Sequence, residues 1–224
     1  MGDWSLSRPA LYDMDLKIDR WLPHHGGWFI EAGGNDGFSQ SNTYHLERRR
    51  GWSGLLVEPV PALAAQAARE RPRSSVVNAA LVAPDHTAPT ARIRYGGLMS
   101  VTVGARGDDA ADRAWVEQGL TSTALGLEDE YEVDVPARTL SSVLDELDPP
   151  EIDLLSLDVE GFEPQVLAGL DLARHAPRFA LVEVRDDEAR SEAAAALGDD
   201  YVLADMFSPW DAFFRRSDQP AGTR

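Results

Sequence analysis

The sequence predicts an α/β domain built around a mostly parallel sheet, and two observations carry that prediction. Short β-rich apolar runs alternate along the chain with stretches whose apolar residues recur at helical spacing. Five of those runs end in a polar or acidic residue: Glu31, Glu58, Asn78, Asp158 and Glu183. Ligands of open α/β sheets bind beyond the carboxyl ends of the central strands, and five such residues in register are not a surface accident.

Taken in order, residues 5–22 read as a helical N-terminal extension, with Leu11, Met14, Ile18 and Leu22 spaced to share one face. Trp28–Ala32 is the first strand, followed by a helix from about Ser41 to Arg50 that Gly51 stops. Gly54–Glu58 is the second strand, Pro61–Arg71 a helix, and Ser75–Ala79 the third strand. Residues 83–125 are the least regular part, with a strand at Ala91–Tyr95, the turn Gly96-Gly97 and an acidic helix, Asp108–Gln118. So long a segment inside a compact domain is disordered or functional, and it is where a lid over a substrate belongs. Met99 to Thr102 and Trp115 are its candidates for lining an acceptor site. Regular structure resumes with a strand at Tyr131–Pro136, a helix at Leu140–Leu147 and the fourth core strand, Ile152–Leu157. A helix from Pro164 to about Arg174, the fifth strand Phe179–Val184, and elements at Glu188–Leu197, Tyr201–Asp205 and Ala212–Arg215 complete the series. The expected organisation is an extension over 1–26, a main domain over 27–217 with a substrate lid at 83–127, and a flexible tail over 218–224.

Composition narrows the function. The chain has 224 residues, 43% hydrophobic and 26% charged, which suits one domain with a full core. No apolar run approaches the ~20 residues of a membrane span. The N-terminus carries an early acid and no apolar h-region, so no secretory signal is expected and the cytoplasm is the default compartment. Cysteine is absent, which excludes disulfides, thiolate metal sites and cysteine nucleophiles. A net charge of −17 argues against nucleic acid as partner. Lys17 is the only lysine, which leaves Schiff-base chemistry no plausible site.

The glycine-rich turn after the first strand, Glu31-Ala32-Gly33-Gly34-Asn35-Asp36-Gly37, fits neither common phosphate-binding pattern. A dinucleotide fingerprint needs G-x-G-x-x-G, but Asn35 and Phe38 stand where two of the glycines belong, and Asp36 would repel a pyrophosphate. No Gly-Lys-Ser/Thr follows, so a P-loop fails as well. The turn suits a cofactor with a cationic, amino-acid-like end: Glu31 and Asp36 can face positive charge, and Gly33 and Gly37 let backbone approach. Glu58, with Pro59 after it, can accept both hydroxyls of a free ribose. S-adenosylmethionine has this layout.

The row FIEAGGNDGFSQSNTYHLERRRGWSGLLVEP, with the later VVNAALV, VPARTLSSVLDEL and IDLLSLDVEGFEPQVLAGL, resembles the FkbM-type methyltransferases. The resemblance runs from about Trp28 to Glu183. It implies S-adenosylmethionine as cofactor and the class I, Rossmann-like fold with a seven-stranded, mostly parallel sheet. Residue by residue, it implies that Glu31, Gly33, Asn35, Asp36 and Gly37 hold the methionine end, Glu58 the ribose, and Asn78-Ala79 the adenine side. Ser41, Asn42 and Thr43 match the S-N-T that begins the helix under the cofactor, and Asp158 and Glu160 match acids facing the methyl group and substrate. Where the family often shows Glu-x-His, this chain has Glu183-Val184-Arg185. Members mostly methylate hydroxyls of natural products or sugars, which implies a small polyhydroxylated acceptor.

If the chain stays extended past the fourth strand, Asp158 and Glu160 point the same way and raise each other's pKa. With Glu183 they are then the expected catalytic set, orienting and deprotonating a hydroxyl. The bland alternatives are Glu160-Gly161 as a helix cap and Glu183 paired with Arg185. A divalent ion such as Mg2+ on Asp158, Glu160 and Glu183, or on Asp186-Asp187, is compatible with all-oxygen ligands but not favoured, so no metal ligand is assigned. The expected activity is an S-adenosylmethionine-dependent O-methyltransferase, with a homodimer allowed. Its rivals are a Rossmann-type nucleotide-cofactor oxidoreductase and a non-catalytic methyltransferase-like binding subunit.

Overall fold

The computed structural model describes residues 8–122 and 130–220. A 3-10 turn at Leu11–Asp13 leads into α1 (Met14–Trp21) and then β1 (Trp28–Ala32). Next come α2 (Tyr44–Arg50), β2 (Ser53–Val57), α3 (Pro61–Glu70) and β3 (Ser75–Val77). The middle of the chain forms β4 (Ala80–Leu81), β5 (Thr90–Tyr95), β6 (Val101–Thr102), α4 (Asp109–Ser122) and β7 (Tyr131–Arg138). The remainder is α5 (Leu140–Leu147), β8 (Leu154–Leu157), α6 (Glu163–Ala168), α7 (Leu172–His175), β9 (Phe179–Glu183), α8 (Asp187–Leu197), β10 (Tyr201–Met206) and β11 (Asp211–Arg216).

Seven strands make the main sheet in the order β10-β11-β9-β8-β1-β2-β3, and only β11 runs against the rest. This is the expected seven-stranded Rossmann-like architecture. Strand alternation divides the core. Ile30, Leu55, Leu155 and Val182 face one side, with α5, α6 and α8; Phe29, Leu56, Leu154 and Leu181 face the other, against Met14 and Ile18 of α1, Leu46 of α2 and Ala67 of α3. Glu31 shares the side of Phe29, so its carboxylate is buried toward α2 and α3.

The segment expected to be irregular supplies β5, β6 and α4, and its two strands join β4 and β7 in a second, four-stranded sheet, order β4-β7-β5-β6, with its own core of Val82, Ala91, Ile93 and Val135. The part of the lid expectation at residues 123–127, the extension's residues 1–7 and the tail's 221–224 lie outside the described residues. Pro220 closes the described part of the tail, and Gln219 accepts a hydrogen bond from Arg178 at 2.7 Å. Among the described residues no helix is long and apolar enough to cross a membrane.

Some boundaries differ for local reasons. α2 begins three residues later than Ser41, because Ser41 Oγ accepts from the Tyr44 N–H at 3.0 Å and makes 41–43 a turn. The helix expected from Pro164 breaks at Gly169 into α6 and α7, the second capped by Asp171. Leu11 is 43% exposed and does not share the buried face of Met14, Ile18 and Leu22, because Tyr12 and Asp13 adopt positive φ between them.

Gly37 has φ +84°, and a Cβ there would sit 2.9 Å from the Ala67 Cα of α3. Left-handed strain and this overlap predict that Gly37→Ala destabilises the protein by about 1–3 kcal/mol, read as a lower urea midpoint.

Candidate active site

A cavity of about 450 Å³ opens beyond the carboxyl ends of β1, β2 and β8, flanked by Ala79 to Leu81 and by Gly97 to Thr102 of the second sheet. It lies where the chain order in the sheet reverses beside β1, the place such sheets use for ligands. Glu31, Gly33, Asn35, Ser41, Asn42, Glu58, Pro59, Ala79, Asp158 and Glu160 line it, as do Met99 to Thr102.

Arg71, just past α3, organises the floor. Its side chain is fully buried. Nε donates to Glu47 at 2.9 Å and Nη1 to Glu31 at 3.1 Å. Further donations reach Ser41 Oγ, Thr43 Oγ1 and the Gly37 carbonyl. The guanidinium also lies 5.2 Å from the Phe29 ring centroid. Glu31 in turn accepts from Ser41 Oγ at 2.9 Å, the Asn42 N–H at 2.8 Å and Thr43 Oγ1 at 2.6 Å. The sequence expectation gave the Glu31 carboxylate to a cationic ligand. In the structure it is occupied by the S-N-T turn and by Arg71, so it builds the site rather than reaching into it. Thr43 lies behind it, outside the lining.

The rest of the turn also looks inward. Asp36 accepts the Phe38 and Ser39 N–H groups at 2.8 and 2.7 Å and the Ser39 hydroxyl at 2.7 Å. It closes its own loop and does not line the cavity, and neither does Gly37, which is pressed on α3. Gly33, with φ +85°, is needed because a Cβ would lie 1.8 Å from the Asp158 carbonyl oxygen. The glycines therefore serve contacts within the protein, where the sequence suggested approach to a ligand. Asn78 stands outside the lining too; its amide donates to the Glu58 and Pro59 carbonyls at 2.9 and 2.7 Å and holds that loop.

Glu58 keeps capacity for a ligand. One carboxylate oxygen accepts the Val60 N–H and the other the Asn35 N–H, both at 2.8 Å, which leaves further lone pairs at the cavity. Burial, with help from Asp36, pushes its carboxyl from 4.5 to about 7.

At the other end stand the acids after β8 and β9. Asp158 is exposed to the cavity it lines, and among the described residues its carboxylate has no hydrogen-bond partner. Burial raises its carboxyl well above the ordinary range, followed by Glu183, Glu160, Glu163 and Asp211. Water in the open cavity relieves the first cause, while the neighbouring carboxylates act whether the cavity is filled or not. Glu183 does not line the cavity; it pairs with Arg185 at 2.9 Å, and burial and Glu160 raise it to about 7. Glu160 leaves the extended path expected after Asp158, because the chain turns after Leu157 and Glu160 adopts φ +60°, yet it still acts on Asp158 as a like charge. Its carboxylate meets Arg185 at 2.6 Å, Arg106 at 3.3 Å and the Trp115 indole N–H at 3.0 Å. The cap of this turn is Glu163, which accepts the Val159 and Gly161 N–H groups.

A family model, the methyltransferase FkbM domain, matches residues 31–218, which contain every cavity-lining residue. The chain belongs to the FkbM methyltransferase family. It is an S-adenosylmethionine-dependent methyltransferase, and both rival readings give way to that assignment. No curated protein matches the sequence. Among solved structures, it is similar to a TehB-like S-adenosylmethionine-dependent methyltransferase from Corynebacterium glutamicum, with 13% identity, TM-score 0.45, and 92% of this chain and 88% of that one covered. It is also similar to an FkbM methyltransferase from Methylobacillus flagellatus, with 11% identity, TM-score 0.47, 85% of this chain and 43% of that one. A precorrin-6y C5,15-methyltransferase from Geobacter metallireducens gives 9% identity, TM-score 0.46, 91% and 87%. At these scores the structural likenesses add nothing to the family assignment.

In this FkbM-family enzyme, the metal alternatives meet other uses of the same residues. Asp186 caps α8 through the Ala189 N–H, and Asp187 pairs with Arg190. Glu160 is turned to its arginines, leaving Asp158, Glu163 and Glu183 with oxygens within 4.8 Å of one another. Acidic clusters of this kind are common without an ion, and no ligand set is assigned.

Two outcomes follow from the buried charges. Arg71→Met leaves Glu31 and Glu47 buried without their cation and is expected to cost about 3–5 kcal/mol in urea unfolding. Glu58 titrates near 4.5 unfolded and near 7 folded, so between those values the native chain holds a proton that the unfolded chain has released. Stability of the cofactor-free enzyme falls as pH rises through that window, Glu183 adding to the fall in the same sense. Thermal unfolding at about pH 5 and about pH 7.5 checks this: Glu58→Gln gives a shallower fall.

Proposed function

We propose that this enzyme methylates a hydroxyl of a small polyhydroxylated acceptor, with Asp158 taking the proton. The observation that carries the reading is the state of Asp158, the carboxylate at the cavity with no hydrogen bond of its own among the described residues. A carboxyl raised well above its ordinary range by burial and by neighbouring carboxylates is matched to that task.

The cavity also suits the cofactor. Asn42 lines it, and its side-chain amide donates to Ser156 Oγ at 3.1 Å, which fixes that part of the wall for the cofactor's methionine end. Glu58 offers its remaining lone pairs to ribose hydroxyls, and Pro59, Leu63 and Ala79 give an apolar wall for adenine. When bound, S-adenosylmethionine supplies an electrophilic methyl on a sulfonium. The chain's part is to hold that end near Asn42 and Asp158, to orient the acceptor hydroxyl, and to receive its proton on Asp158. Gly97 to Thr102 and Gly119 line the cavity from the second sheet and α4, which supports residues 83–127 as the lid that selects the acceptor. Supporting features for the wider reading are the charge of −17, which disfavours nucleic acid, and the lack of cysteine, compatible with the cytoplasm. The edge strand β10, with Val202 and Leu203 exposed, is where a homodimer would form.

The test is methyl transfer from labelled S-adenosylmethionine to a panel of glycosides and polyketide polyols, with the product's methyl located by NMR. Asp158→Asn is expected to lower transfer by about 10²–10⁴-fold while binding of S-adenosylhomocysteine by calorimetry persists. A methyl found on nitrogen or carbon, or full turnover in Asp158→Asn, overturns the reading.

A further inference from the structure

The lid and the main sheet meet at one charged junction, and its geometry is unusual. Trp115 of α4 carries two guanidiniums, with the Arg106 Cζ 3.6 Å and the Arg185 Cζ 4.1 Å from its ring centroid. All three side chains donate to the same atom, Glu160 Oε2: Arg185 at 2.6 Å, the indole N–H at 3.0 Å and Arg106 at 3.3 Å. Arg106 adds a second bond to the Glu160 carbonyl at 3.0 Å. Glu160 sits at φ +60°, a backbone state that a glutamate occupies only when its surroundings impose it.

The lid holds this junction in place. Asp112, buried one helical turn before Trp115, accepts the Gly104 N–H at 2.6 Å and the Arg106 N–H at 3.1 Å. One face of α4 therefore sets both the turn that presents Arg106 and the indole it stacks on. Gly161, at φ +100°, supplies the left-handed backbone that lets the loop turn beside Arg106.

We propose that Arg106 and Trp115 of the lid, with Arg185 after β9, are positioning residues that hold Glu160 away from Asp158 and leave Asp158 the single open carboxylate at the acceptor end. The proposal rests on the reading of Asp158 as the base. Glu160 and Asp158 line the same cavity, so a Glu160 carboxylate released from the clamp is free to enter the space beside Asp158. The charged groups facing Asp158 are Glu160 in its own loop, Glu163 of α6, Glu183 of β9 and Asp211 of β11; Arg106 and Arg185 act on it through Glu160 and Glu183. Loosening the clamp therefore adds a like charge near Asp158, and deleting Glu160 removes one.

The experiment titrates Asp158 itself in the full-length, cofactor-free enzyme, by NMR of 13C-labelled aspartate carboxyls, with Asp158→Asn to assign the signal. Arg106→Gln is expected to raise the Asp158 midpoint by about 0.5–1 pH unit, and Glu160→Gln to lower it by a similar amount. Trp115→Phe keeps an aromatic face but loses the indole donor and part of the stacking surface, and it shifts the midpoint upward by less than Arg106→Gln, which also deletes a charge; Arg106→Lys returns it part of the way to wild type. Opposite signs for Arg106→Gln and Glu160→Gln cannot come from general loosening of the fold. An unmoved midpoint in folded Arg106→Gln and Trp115→Phe, or the same sign in both charge variants, overturns the proposal. Neither result touches the assignment of the base, which stands or falls on transfer by Asp158→Asn.

Discussion

Arg71 has no contact with solvent and is shared between two carboxylates from different elements, Glu31 of β1 and Glu47 of α2. A charge placed there is costly unless every donor finds an acceptor, and the structure meets that condition with Ser41, Thr43 and the Gly37 carbonyl. The consequence is geometric. The glycine-rich turn, the S-N-T turn and the end of α3 are tied to one guanidinium, so the cavity floor cannot shift piecemeal. Asn42, whose N–H is held by Glu31, is thereby fixed in the cavity wall.

The site's carboxylates then divide by partner. Glu31, Glu47 and Glu160 are paired with arginines, and Asp36 and Glu163 are used by backbone N–H groups. Glu58 has only two backbone donors and Asp158 has none, and these two stand at opposite ends of the cavity. Burial and like charge raise both carboxyls, and a cationic ligand and ribose hydroxyls relieve that cost. That is a physical reason for a site rich in acids to prefer a sulfonium cofactor, and it resides in which acids lack partners more than in how many there are.

Much of this was legible in the residues. Apolar runs ending in Glu58, Asn78, Asp158 and Glu183 placed the strands and the sheet end correctly, because burial on both faces leaves little choice of residue. The second sheet was not legible: β4 and β6 have two residues each, and β4 pairs with β7 far along the chain. Nor was Arg71, since an arginine after a helix usually reads as a solvated terminus; the one available signal was a buried strand acid, Glu31, in need of a cation. The turn EAGGNDG misled in a specific way. Its glycines answer to Asp158 and α3 and its Asp36 to its own loop, while Asn35 supplies the contact to Glu58 through backbone, which sequence does not mark. The Glu160 turn was hidden likewise, because positive φ at a glutamate is imposed from outside, by Arg106, Trp115 and Arg185.

The central claim is that Glu58 and Asp158, the carboxylates with lone pairs left for a ligand, mark the two ends of one cofactor and acceptor cavity. A crystal structure with S-adenosylhomocysteine tests it most directly. The account predicts ribose hydroxyls on Glu58, the amino group at Asn42, the sulfur facing Asp158, and the Arg71 contacts unchanged. A ligand bound elsewhere, or one in this cavity that leaves Glu58 without a ribose hydroxyl, would contradict it.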